Sequence, residues 1–340
     1  MPTSSVGPLG GWATLADLFA GHRSPAYARL AQACAADPQV EALGPPLVVL
    51  HVVRLAALQG RAQDPWTGDP DAFRRDAHTL HDEVAAAVRR GIVQFTEPLR
   101  MADLLPGLLI AAARYPDRPL RLIDIGACAG LHLNPECYEI RYPRSAWSPT
   151  TAGMTLECAL DVPARLLERE LAIADRVGID LAPVDPAAPG TFAYLRSFSW
   201  AGDPDREQRL QSALITVASR APEVRAGSVM DLLPDLLAER VSPDAVTAII
   251  DSATSRYLSG RDGFRLGRLL DRMACRGPLA LVSRGRAVPN QEGLPTSVGV
   301  IDLSRRWCIT YAASDLLSER MLWVGSISER FAGRDAGRHP

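Results

Sequence analysis

Residues 120–133 read Leu-Arg-Leu-Ile-Asp-Ile-Gly-Ala-Cys-Ala-Gly-Leu-His-Leu. Leu120, Leu122, Ile123 and Ile125 give the near-continuous apolar run of a parallel strand covered on both faces. Gly126 and Gly130 follow, and glycines there permit a tight turn and a close backbone approach by a ligand. The pattern predicts a helix after the turn, with its first N–H groups still seeking acceptors. A strand, turn and helix in that order is where doubly wound α/β folds hold a nucleotide-like ligand.

The chain around this stretch has 340 residues, enough for one large domain or two modest ones with a full core. Its 47% hydrophobic and 22% charged residues are ordinary for a globular protein, which sets aside disordered and fibrous classes. A net charge of -2 offers no bulk attraction to nucleic acid or anionic membrane, so neither is expected as a partner. No apolar run is long enough for a membrane span and no basic-then-apolar leader opens the chain; a cytoplasmic location is the expectation. The six cysteines contain no Cys-x-x-Cys pair, so neither a zinc ribbon nor a disulfide framework is indicated. All 37 basic residues are arginine. The lack of lysine excludes Schiff-base catalysis, pyridoxal-phosphate enzymes and the P-loop.

Residues 1–118 read as a helical N-terminal region. Ser24-Pro25 opens one helical segment, Pro46 to Leu58 carries helical apolar spacing, and Asp71 to Arg90 predicts a helix closed by Gly91. Gln63 to Pro70 reads as a loop, and Leu99 to Arg114 as the helix leading into the central strand. Residues 119–331 then read as an α/β domain, with a long insertion at about 161–222 and a tail at 332–340 expected to be disordered. Within it, Met154 to Leu160 alternates like a strand, and a helix is expected from Pro163 to near Gly178. A second helix is expected from Asp203-Pro204, a short strand at Glu223 to Ala226, and a helix from Met230 to Arg240. Ala245 to Ile250, ending in Asp251, and Leu279 to Ser283 read as buried strands. Val298 to Leu303 and Trp307 to Tyr311 suggest an antiparallel pair, with one more strand at Met321 to Gly325.

With Asp124-Ile-Gly-Ala-Cys-Ala-Gly130 in place, the later strands resemble those of S-adenosylmethionine-dependent methyltransferases. That resemblance implies a Rossmann-like, seven-stranded sheet with an antiparallel last strand, and a pocket for S-adenosylmethionine. Nearly the whole chain also resembles one bacterial family of unknown function. The stretches that carry this are Arg23-Ser-Pro-Ala-Tyr-Ala-Arg-Leu, Gln94-Phe-Thr-Glu-Pro-Leu-Arg100, Gly126 to Leu133, Arg176 to Asp185, and Gly227-Ser-Val-Met-Asp-Leu-Leu-Pro234. The departures are chemical. Cys128 replaces the loop's middle glycine, and Ser228 stands where an acidic residue would accept a bond from adenine. Asp251 stands where relatives present a histidine, and Arg284-Gly285 where Asn-Glu is expected.

Among single residues, Asp124 either orients the loop backbone or caps the helix expected after it. Glu157 is read either as the acidic residue that bonds ribose hydroxyls or as an exposed strand position. Cys128 is either a thiolate favoured by a helix start or a small loop residue. His132 is the candidate general base, since its ordinary pKa lies near neutrality, and Asn134 follows on the same turn. Asp251, at the carboxyl edge of the sheet, and Glu97, with Arg100 one turn later, are the candidate catalytic carboxylates. Arg284 offers a bidentate clamp for an anionic group, with Arg286 beside it. His78-x-x-His81 shares a helix face among charged neighbours, so no metal is expected.

The expected function is a small-molecule tailoring enzyme of bacterial secondary metabolism. It would keep the methyltransferase framework but perform non-methyl chemistry such as intramolecular substitution or elimination, with no cofactor. The alternatives are an S-adenosylmethionine-dependent methyltransferase, and a non-catalytic subunit in a heteromeric complex. A protein partner or a second copy of the chain fits any of the three.

Overall fold

β1 (Leu120–Ile125) sits inside an eight-stranded mixed sheet of order β11-β10-β9-β8-β7-β1-β5-β6. The structure is a computed structural model that describes residues 12–13, 16, 25–67, 69–199, 204–220, 222–285, 296–305, 307–314 and 322–326. The parallel part comprises β6 (Val224–Ala226), β5 (Ile173–Asp180), β1, β7 (Val246–Asp251) and β8 (Leu279–Gly285). β9 (Thr296–Asp302), β10 (Trp307–Ser314) and β11 (Leu322–Ser326) extend it as an antiparallel meander. Among the described residues the sheet therefore has eight strands, two of which, β9 and β11, run against the rest, where the resemblance implied seven strands with the last one antiparallel. From β1 the chain builds outward first through β5 and β6, then returns to β7 on the other side. The strand order reverses between β1 and β7, and such reversal points are where open α/β sheets present ligand crevices.

The chain falls into two compact units: 1–96 with 188–210, and 97–187 with 211–340. In the first, helices Pro25–Ala35, Pro38–Leu43, Pro46–Leu58, Pro70–Thr79 and His81–Arg90 surround Leu30, Val40, Val53, Phe73 and Val84. Proline opens four of them, a position where the missing N–H costs nothing. Asp37 and Asp69 cap two by accepting from the N–H groups of Gln39 and Val40, and of Asp71 and Ala72. The long helix expected over 71–90 is two helices broken at Leu80, while Gly91 closes the second in the left-handed region as expected.

In the second unit, Ile123, Ile125, Val177, Ile179 and Ile249 pack with Leu233, Leu237, Leu266 and Leu270 from helices Val229–Arg240 and Gly260–Met273. Each such side chain contributes roughly 1.5–3 kcal/mol by leaving water. The helix Arg100–Arg114, which the sequence reading grouped with residues 1–118, packs on β7, β8 and β9.

Two expectations near β1 are corrected. The turn leads not to a helix but to single 3-10 turns at Leu131–Leu133 and Pro135–Cys137, then to β2 (Tyr138–Tyr142). β2 pairs with β3 (Ser145–Trp147) and β4 (Met154–Glu157) in a separate three-stranded sheet. The alternation of buried Tyr138, Ile140 and Tyr142 with more exposed Glu139 and Arg141 is a strand pattern, and Pro135 blocks continuous helix. The region expected to be helical from Pro163 to Gly178 holds only a turn at Ala164–Leu167 before β5. The tail at 332–340 lies outside the described residues.

β5 lies close to the turn after β1, and Gly178 makes this possible. A Cβ there would stand 2.5 Å from the Ala127 Cβ and 3.1 Å from Val224 Cγ2. Gly263, on the helix Gly260–Met273, has nothing within 4 Å of the same position. Gly178→Ala is therefore expected to destabilise by about 1–3 kcal/mol. Gly263→Ala is expected to stabilise by about 0.5–1 kcal/mol. Urea unfolding of both variants checks the pair.

Candidate functional site

β1, β5 and β7 each bring a carboxylate to the carboxyl edge of the sheet: Asp124, Asp180 and Asp251. All three are buried. Asp251 accepts from the Ser283 hydroxyl at 2.9 Å and from the Ser255 N–H at 3.1 Å. Asp180 accepts from the Cys128 N–H at 2.8 Å and the Ala182 N–H at 2.9 Å. Asp124 differs: it is 0% exposed, and neither of its oxygens has a hydrogen-bond partner among the described residues.

The nearest basic group to Asp124 is His132, whose Nδ1 lies 3.8 Å from Oδ2. His132 Nε2 donates to the Glu97 carbonyl at 3.2 Å, so in the neutral ring Nδ1 turns its lone pair toward Asp124. Burial pushes the His132 pKa down to about 4, assisted by the Arg100 charge. Burial also raises Asp124 well above the usual carboxylate range, with the nearby Asp180 and Asp251 adding to it and Arg100 opposing. The carboxyl is thus shifted toward holding its proton and the imidazole it faces toward giving its own up. The pair is equipped to give up and to receive a proton.

The turn itself is closed on the protein. A Cβ at Gly126 would meet Thr254 Oγ1 at 1.8 Å, and that hydroxyl donates to the Ile125 carbonyl at 2.8 Å. One at Gly130 would meet Pro222 at 2.7 Å. Both glycines have φ near +70°, but the space beside each is filled by a side chain of the chain itself. Cys128 occupies the left-handed region at φ +52°, the one non-glycine to do so among the described residues. That conformation costs a β-carbon-bearing residue about 1–2 kcal/mol. Burial, then Asp180, raise its thiol, so the thiolate reading is corrected: no helix dipole stands behind Cys128.

The other expected residues divide. Glu97 is buried, and its Oε1 accepts from the Leu99 N–H at 3.1 Å just ahead of helix Arg100–Arg114. Arg100 opens that helix and acts on Asp124 and His132 through its charge. Asn134 Oδ1 accepts from Arg176 at 2.6 Å, while its buried Nδ2 finds no acceptor among the described residues. Arg284 Nε donates to buried Asp103 at 2.9 Å, so its charge is already matched and an open anion clamp is corrected. Arg286 lies outside the described residues. Ser228 caps helix Val229–Arg240 by accepting from the Met230 N–H at 3.1 Å. Glu157 is exposed on the small sheet, not on a neighbour of β1, so the ribose role is corrected. Asp180, which sequence reasoning passed over, ends the strand beside β1. The signal was present in Val-Gly-Ile-Asp over 177–180, an apolar run ending in a carboxylate.

S-adenosylmethionine requires an open glycine face and free loop N–H groups. The filled faces of Gly126 and Gly130, and a Cys128 N–H already given to Asp180, do not fit it. Among the described residues, no group of three or more His, Cys, Asp and Glu is arranged to hold a metal ion. No described helix is long and apolar enough to cross a membrane.

Residues 12–302 match a bacterial family described as "uncharacterized protein conserved in bacteria (DUF2332)". No curated protein matches the chain. Among solved structures, the bifunctional kinase-methyltransferase WbdD is similar over 56% of this chain and 29% of its own, at 15% identity and a TM-score of 0.25. The chain spans less than a third of that protein, and a likeness this slight carries no argument about chemistry.

His132 supplies a test of the geometry. A histidine with a depressed folded pKa contributes stability that is present above its unfolded value of 6.5 and lost as pH falls through the folded value, here about 4. His132→Gln removes that term. The difference in unfolding free energy between variant and wild type is expected to shift by about 3 kcal/mol in the variant's favour from pH 7 to pH 4. Urea titrations at steps across this range measure it.

Proposed function

The chain belongs to that bacterial family, and we propose that it is an enzyme acting on a small molecule by proton transfer at the carboxyl edge of the sheet. Asp124 is the proton donor, and Asp251, held by Ser283 and Ser255, is the base. His132 positions Asp124, and between turnovers the proton gained by Asp251 is returned to Asp124. The observation that carries this reading is the fully buried Asp124 carboxyl with two oxygens lacking a protein partner, beside two carboxylates that are each anchored twice. Folded proteins leave few buried polar groups unmatched, and active sites are among the places where they do so.

The reaction class that suits a pair of carboxyl groups at one sheet edge is elimination or intramolecular substitution. One carboxylate takes a proton from the substrate while the other gives a proton to the departing group, so the protein ends with its proton count unchanged. No step is routed through S-adenosylmethionine, because the glycine turn is filled from within.

Asp124→Asn tests the assignment, since the amide keeps the shape and cannot supply the acid proton. A carboxyl whose folded pKa is raised favours the fold below its unfolded value of 3.8, and that contribution is lost as pH rises through the folded pKa. The Asn variant is therefore expected to be more stable than wild type at pH 7, by an increment that shrinks on acidification. In a bacterial host, the variant should reproduce the small-molecule profile of a deletion strain. A variant that restores the wild-type profile would sink the proposal. Calorimetry with S-adenosylmethionine and S-adenosylhomocysteine should give no saturable heat; micromolar binding would restore the methyltransferase alternative.

A further inference from the structure

The helices Val229–Arg240 and Gly260–Met273 lie side by side on one face of the sheet and share the core of Leu233, Leu237, Leu266 and Leu270. Each returns against the parallel strands it joins, β6 to β7 and β7 to β8, so the two run in the same direction. Their outer faces carry opposite charge. On the first, Asp231, Asp235 and Glu239 recur at four-residue spacing, and all three are exposed. On the second, Arg261, Arg265, Arg268 and Arg272 recur at spacings of four, three and four, and are likewise exposed. These spacings keep each set on one side of its helix. With Arg240, Asp262 and Asp271 included, the two helices carry net charges of -2 and +2.

The two stripes are not spent on each other. Arg265 pairs with Asp262 of its own helix at 3.3 Å, and the other six residues take part in no ion pair among the described residues. Beside the arginines stands Phe264, at 71% the most exposed large apolar side chain among the described residues. A partner for this face must offer both signs of charge side by side. An extended polyanion, such as nucleic acid or an anionic membrane, would be repelled by the acidic stripe as it met the arginines. A second copy of the same face offers both signs, and a net charge of -2 sets little long-range repulsion between copies.

We propose that this face is the contact between two copies of the chain, related by a two-fold axis that runs along the helix pair. That axis lays the acidic helix of one copy on the arginine helix of the other, and the reverse, so the face is its own complement. A two-fold axis across the pair would instead set acid on acid and arginine on arginine, which costs affinity. Helices of 12 and 14 residues packed side by side present a face of roughly 20 Å by 20 Å. That is the small end of specific interfaces, so the dimer exchanges with monomer and depends on charge more than on apolar burial. Salt screens such exposed pairs, so association weakens as ionic strength rises.

Sedimentation of the full chain over a micromolar concentration range tests this. The wild type is expected to pass from 36.7 kDa to twice that mass, with a dissociation constant that rises at least tenfold between about 0.05 and 0.5 M salt. A variant with Asp231→Arg and Asp235→Arg should stay monomeric where the wild type is dimeric, because it sets like charges together. A second variant, with Arg261→Glu and Arg268→Glu, should do the same. Mixing the two should restore a dimer with one copy of each, since reversed stripe then meets reversed stripe and native meets native. Circular dichroism checks that both fold, and the salt dependence of the wild type serves if either does not. A wild type that stays monomeric, an association indifferent to salt or to both variants, or a mixture no more associated than its components would overturn the proposal. Growth beyond two copies would overturn the two-fold arrangement.

Discussion

The bond from the Cys128 N–H to Asp180 is the constraint on which the carboxyl edge of the sheet depends. It joins the turn after β1 to the end of β5, and the same carboxylate holds Ala182, so one residue fixes two chain reversals. Gly178 lets β5 approach the turn, and the pairing of Gly126 and Ala127 N–H groups with the Ile179 carbonyl completes the seam. Cys128 adopts a left-handed conformation within this seam. The strain is tolerable because a buried backbone N–H without an acceptor would cost more than the strained conformation does.

Once Asp180 and Asp251 are each committed to two donors, Asp124 is left as the carboxyl with no protein hydrogen bond. Burial, then the charges of Asp180 and Asp251, push the Asp124 carboxyl well above the usual carboxylate range, and no hydrogen-bond donor offsets that rise. The opposite arrangement would be expected of a purely structural cluster, in which N–H groups are spread over all members. Glu97 contributes twice: its carbonyl receives His132, which fixes the imidazole tautomer, and its carboxylate receives Leu99 at the head of the following helix.

How much of this was legible in the sequence follows from local pattern strength. β1 and β7 could be read directly, because runs such as Leu122-Ile-Asp-Ile and Ala248-Ile-Ile are apolar on both faces. β5 was misread because Asp175, Arg176 and Gly178 interrupt its apolar run, although Arg176 is spent on Leu133, Asn134 and Glu136 within the fold. The glycine turn was legible as a turn but not in its use. Whether a glycine faces a ligand or a threonine from another strand's exit loop depends on tertiary packing, and Thr254 lies 128 positions away from Gly126. Ser228 and Glu157 show the same limit: residue type was read correctly, but the partner that decides its role comes from helix geometry in one case and sheet membership in the other.

The exclusive use of arginine narrows where proton chemistry can occur. A lysine can shed its charge when buried, whereas arginine keeps it and must be matched. Arg54 is matched by Glu207, and Arg284 by Asp103. Such positions act as fixed electrostatic scaffolding and cannot exchange protons at neutral pH. Titration is left to carboxyls, thiols and the six histidines. Burial raises the Cys128 thiol, and it pushes His132 down and Asp124 up, each toward its neutral form. Arg100 bears on both: its permanent charge disfavours imidazolium at His132 and restrains the rise at Asp124. A buried lysine there could shed its charge, whereas arginine keeps it, so the influence of Arg100 on both groups stays constant through neutral pH.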